Sequence, residues 1–136
     1  MPNPNRRSFI KTLLATSATV LVSRKVAFAG SLPPHPDPRP GVTGANVLAA
    51  DKLGGKKKDI ELFDGVRRIP QVMDGIRCNC SCPDPPELRS LLSCFEGRGM
   101  ARDCVICQGQ ARLAIRLHTE GRTLNEIRQA VDAKFA

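Results

Sequence analysis

The chemistry available to this chain sits in six cysteines arranged as Cys78-Asn79-Cys80-Ser81-Cys82, a single Cys94, and the pair Cys104-Val105-Ile106-Cys107. Sulfur at this density serves one of three ends. An even number of cysteines can form a disulfide framework, whose connectivity sequence does not choose. Converging thiolates can instead hold a soft ion such as Cu(I) or Zn(II). A CxxC pair can also cycle between thiol and disulfide. In an extended segment Cys78, Cys80 and Cys82 would share one face about 7 Å apart. Disulfides need Cα separations of about 4.4–6.8 Å, so pairing within the trio requires bending. Three thiols on one face suit three partners opposite, or one soft metal once the segment curls. All six cysteines are therefore candidate metal ligands or disulfide partners, and Cys104 and Cys107 are the redox candidates. At a helix start Cys104 would feel the positive end of the helix dipole, which favours thiolate, with Asp103 partly opposing it. Gln108 follows Cys107, so the CxxCH attachment motif of a c-type haem is missing.

Other chemistries find no support. The sequence carries no Ser-His-Asp set and no phosphate-binding glycine loop, so neither a catalytic constellation nor a nucleotide site is expected. Asp84 and Glu87 read as helix-cap residues. His35 falls in a proline tether and His118 late in a helix, both more typical of surface residues than of ligands. Met73 and Met100 flank the cysteine groups; thioethers can ligate copper, but single methionines usually pack.

The elements that must position the cysteines fall in residues 69–136. Asp84-Pro85-Pro86-Glu87 predicts a helix start, with Leu88, Leu91, Leu92 and Phe95 on one face and Gly97 and Gly99 ending it. A second helix is expected over 104–119, capped by Asp103 and stopped by Gly121. Thr123-Leu124-Asn125-Glu126 is a capping box opening a third, with Leu124, Ile127, Val131 and Phe135 inward. The expected fold is mostly α: a small cysteine-rich domain of about three short helices plus an irregular CxCxC segment. This stretch has only two aromatic residues, Phe95 and Phe135. Domains of this size bury only about 60% of their unfolded surface and need stapling, a role the cysteines can fill. Only a short turn, 97–103, separates the helix bearing Cys94 from the one opening at Cys104, so the cysteine groups should converge on one site.

Residues 30–68 read as a Pro/Gly/Lys-rich, disordered linker. Residues 31–41 contain five prolines, a short helix is expected around 45–53, a solvated lysine run at 56–58, and a brief strand or turn over 60–69. Residues 1–29 read as a twin-arginine signal peptide. Asn5-Arg6-Arg7-Ser8-Phe9-Ile10-Lys11 is followed by a mildly apolar stretch shorter than the roughly 20 residues of a spanning helix, and then by Ala27-Phe28-Ala29 as an A-x-A cleavage pattern. The expected partners are the twin-arginine export machinery, a signal peptidase and an unknown periplasmic partner; the expected location is the periplasm or extracytoplasmic face. The formal charge of +8 does not indicate nucleic-acid binding. Five of the basic residues lie in the first 29, and no aromatic residues interleave with a basic stripe.

The cysteine array, Cys94-Phe95, and the C-terminal Gly121, Glu126-Ile127-Arg128 and Val131-Asp132 together resemble the PCYCGC-motif (CYCXC) proteins. These are exported cysteine-rich bacterial proteins of unestablished function, some with selenocysteine in place of a cysteine. The resemblance spans residues 69–136 and implies redox or metal chemistry over inert crosslinks. Arg77 stands where the motif has Pro, Asn79 where it has Tyr and Ser81 where it has Gly. The family's histidines near the second and third cysteine groups have no counterpart here, so no role of theirs carries over.

Overall fold

The computed structural model describes residues 32–81 and 88–136. The expected signal peptide, Cys82 and the expected cap sequence at 84–87 lie outside the described residues. Among the described residues the fold is mostly α: helices α1 (Lys57–Arg68), α2 (Pro70–Asp74), α3 (Val105–Thr119) and α4 (Leu124–Phe135), with one short 3-10 turn before α1 and two between α2 and α3. The only strand-like feature among them is an isolated antiparallel bridge between Val47 and Glu96.

Order begins well before residue 69, which corrects the linker boundary. Helix α1 forms because Leu62, Phe63 and Val66 recur on one face and are all buried. Asp59 in its first turn and Arg67 and Arg68 in its last complement the helix dipole. The brief strand or turn expected over 60–69 is thus a helix. Its apolar residues are too few to announce themselves between lysines and glycines, and their partners are remote in sequence. Phe63 meets Phe95 edge-on at 4.8 Å between ring centroids. At Gly65 a Cβ would lie 2.6 Å from Ile115 Cδ1, so a larger residue there would require the end of the Ile115 side chain to move. Residues 32–49 also lie on the core: Val47 is buried, and Leu48 N–H donates to Phe95 O at 3.0 Å. The short helix expected around 45–53 is one 3-10 turn, Ala50–Lys52.

Pro70 sits at the first position of α2, where its missing donor costs nothing. Asp74 ends this helix and is fully buried. Its carboxylate accepts from the backbone N–H of Arg39 at 2.8 Å, from the Arg39 guanidinium at 2.9 and 3.1 Å, and from Ser90 Oγ at 3.0 Å. Arg89 completes the knot at 2.9 Å. The helix expected over 84–95 is reduced, within its described part, to a 3-10 turn, Leu92–Phe95. The cause is tertiary: Ser90 and Arg89 are tied to Asp74, and Leu91 N–H donates to Ile76 O at 2.7 Å rather than within a helix.

The two C-terminal helices follow their local signals. Helix α3 ends in a Schellman motif, with Gly121 at φ +78° and the N–H groups of Gly121 and Arg122 donating to His118 O and Leu117 O. Thr123 and Glu126 make the reciprocal capping box that opens α4. Ile127 and Val131 are fully buried, while Leu124 and Phe135 are half-buried at the edge of the core. Met73 is fully buried packing, not a surface thioether.

Candidate metal centre

Two elements bring the thiols together. The segment after α2 carries Cys78 and Cys80, and the first turn of α3 carries Cys104 and Cys107. The Sγ atoms of Cys78, Cys80 and Cys107 all lie within 4.8 Å of one another, a grouping able to hold a metal ion. Cys78 and Cys107 are 3.4 Å apart at sulfur, well beyond the roughly 2.05 Å of a disulfide bond. Cys78, Cys94, Cys104 and Cys107 are free thiols. In its described part, residues 78–81, the CxCxC segment bends rather than running straight, bringing the Cys78 and Cys80 sulfurs within 4.8 Å. Its backbone reaches φ +51° at Ser81, a left-handed conformation that favours glycine, at the position where the resembled motif carries Gly.

Cys94 reaches the same place from the 3-10 turn. It is fully buried, and its thiol interacts with both Cys78 and Cys107. Cys104 caps α3 itself, its sulfur accepting the backbone N–H of Cys107 at 3.5 Å. This corrects the expectation that Asp103 would cap the helix; Asp103 is exposed and paired with Arg102. The described cysteines of all three sequence groups therefore converge. Cys82 lies outside the described residues.

Ionisation in this cluster is uneven. Hydrogen bonds from Cys107 and Cys94 outweigh burial and pull the Cys78 thiol far down, making it the first to become thiolate. Facing that thiolate, Cys107 is pushed far up, by Cys78 first, then Cys94 and burial. Cys94 is also raised: its bond to Cys107 lowers it, but Cys78 and burial prevail. Burial opposes ionisation of Cys104, yet the N–H and thiol of Cys107 and the N–H of Ile106 bring it below its ordinary value.

The supports of the site were not anticipated from sequence. Gln110, fully buried one turn after Cys107, donates from Nε2 to Cys78 Sγ at 3.7 Å and accepts Asn79 N–H at 3.2 Å on Oε1. A polar side chain three positions after a cysteine on an apolar helix face was the available clue. A second support joins three distant stretches. Asp132 of α4 receives Arg77 at 2.7 Å, Asn79 at 3.2 Å and His35 Nε2 at 3.0 Å, while His35 Nδ1 accepts Arg77 N–H at 3.0 Å. His35 is thus a half-buried brace rather than a surface residue of a tether. Burial lowers its pKa, aided by Arg77 and Arg128 and opposed by the bond to Asp132. His118 is exposed and takes no part in the cluster.

A separate surface cleft of about 610 Å³ is lined by Arg39, Lys52, Glu96 and Arg98 among others and by no cysteine. No helix among the described residues is long and apolar enough to cross a membrane. No protein-family model, curated protein or solved structure matches the chain.

Proposed function

We propose that this chain is an exported soft-metal-binding protein that takes up Cu(I) through Cys78, Cys80 and Cys107. The observation carrying the reading is the meeting of three sulfurs within 4.8 Å from two separate segments of chain. Thiolates select soft ions, and three of them satisfy a trigonal Cu(I) ion, whereas a structural Zn(II) site closes with four donors. The Gln110 N–H offsets negative charge on Cys78, and the positive end of the α3 dipole does so for Cys107 in its first turn. Binding releases thiol protons, so affinity rises with pH until the ligands are deprotonated.

Export through the twin-arginine route, cleavage after Ala29 and a periplasmic partner that delivers or accepts the ion belong to the same proposal. They rest on the Asn5–Lys11 pattern and on the resemblance to the PCYCGC-motif proteins. Lysine at both Arg6 and Arg7 should trap the precursor; unimpaired export of that variant refutes the route.

Thiol–disulfide exchange is the second reading, favoured by one observation: half-buried Cys104 has its pKa lowered at a helix N-terminus. One experiment separates the two. The reduced chain, loaded anaerobically with Cu(I) or Zn(II) and desalted, is weighed by native mass spectrometry, and its thiols are counted. Retained copper that survives a zinc challenge, with thiols unoxidised, supports the proposal. Rapid, reversible oxidation of Cys104 with no retained metal replaces it with the redox reading.

A further inference from the structure

The cluster contains more sulfur than one ion uses. A trigonal ion takes three thiolates, yet five described cysteines meet here: the Cys78–Cys107 pair and, beside it, Cys80, Cys94 and Cys104. The surplus includes Cys94, which is fully buried and interacts with both members of that pair. Cys94 is not one of the three sulfurs that lie within 4.8 Å of one another. Cys78 and Cys107 are therefore common to two sets, one completed by Cys80 and the other by Cys94.

We propose, building on the copper reading above, that the site is a two-ion Cu(I) centre in which Cys78 and Cys107 bridge both ions, with Cys80 terminal on one and Cys94 terminal on the other. Metal–thiolate bonds of about 2.3 Å place two sulfurs on one ion about 3.8–4.0 Å apart. The Cys78–Cys107 separation of 3.4 Å is already close to such a shared edge. Four thiols bound to two Cu(I) ions release four protons and leave the core with two net negative charges; no electron is transferred. The chain offsets part of that charge with the Gln110 N–H on Cys78 and with the positive end of the α3 dipole, in whose first turn Cys107 sits. Cys94 lies in the apolar core, and its hydrogen bond outside the sulfur cluster is to the Ser90 carbonyl at 3.9 Å, which leaves its sulfur directed to the other thiols.

The test is a stepwise anaerobic titration of the reduced full-length chain with Cu(I), read by native mass spectrometry. The expected saturated species carries two copper ions and has lost four protons, and X-ray absorption shows a short copper–copper vector. Cys80→Ser and Cys94→Ser should each lose one ion or bind it at least tenfold more weakly, while Cys78→Ser and Cys107→Ser weaken both ions. Circular dichroism confirms that each variant is folded, and the wild-type copper–copper vector does not depend on any variant. Saturation at one ion refutes the two-ion centre and leaves the single-ion reading standing. Failure to retain any copper refutes both. Two ions without a copper–copper vector, or two ions retained unchanged in both the Cys80 and Cys94 variants, refute the bridging role of Cys78 and Cys107.

Discussion

Replacing Asp74 by asparagine tests whether the cysteine-bearing loop is held by the buried knot at its base. The Asp74 side chain has no exposed surface, and it ties residue 39 to residues 89 and 90 across the loop. Burial by itself would raise its pKa, but the side-chain and backbone hydrogen bonds from Arg39, and that from Ser90, overcome this and lower it from 3.8 to about 2. At about 1.4 kcal/mol per unit, the shift amounts to about 2 kcal/mol of stability at neutral pH. Breaking a fully buried pair typically costs about 3–5 kcal/mol. Here the arginines are 50% and 36% exposed and recover water when the carboxylate is lost, so the lower figure applies. The expected loss for Asp74→Asn is about 2 kcal/mol, or roughly 8–15 °C in melting temperature for a domain of this size. A depressed carboxylate pKa gives stability that is present above the unfolded value and lost as pH falls through the folded one. The gap between wild type and variant should therefore be constant near neutrality and close between about pH 4 and pH 2. Thermal and urea melts of both proteins, reduced and metal-free, measure it. A gap under about 0.5 kcal/mol at pH 7, or one undiminished near pH 2, would refute the ion-pair account.

Two further perturbations probe the supports nearer the sulfurs. Gln110→Leu removes the N–H given to Cys78 and leaves the half-buried Asn79 N–H without its acceptor, a cost at the low end of about 1–3 kcal/mol; the Cys78 thiol pKa should rise, and an ultraviolet thiolate titration that overlays wild type would dismiss Gln110 as a positioning residue. For His35 the folded pKa lies below 6.5, so the unfolded chain binds the proton more readily and stability should fall as pH drops through about 6.5; melts across that range should show the slope in wild type and a flatter one in His35→Gln, and equal slopes would count against the brace.

What could be read from sequence was what is local. The capping box at Thr123 and Glu126 and the stop at Gly121 declare themselves within four residues, and both form as expected. Convergence of the cysteines followed from the short connection between Cys94 and Cys104. Helix α1 was hidden because Leu62, Phe63 and Val66 gain their meaning only from Phe95 and α3. The helix signal around 88–95 was strong but lost to longer-range bonds, since Ser90, Arg89 and Leu91 satisfy partners at residues 74 and 76. Nothing local connects His35 to Asp132, 97 residues away, or marks Gln110 as a donor to sulfur.

The brace at Asp132 also sets an order of events during synthesis. Cys78, Cys80, Cys94, Cys104 and Cys107 all leave the ribosome before the residue that fixes Arg77, Asn79 and His35 beside them. Until α4 docks, the segment is held by Gln110 and the Asp74 knot but lacks the Asp132 anchor on Arg77 and Asn79. Contacts spanning so much chain close slowly. The nascent protein therefore passes through an interval in which adventitious oxidation competes with assembly, and a reducing compartment for that interval protects the sulfurs as much as any contact in the finished fold.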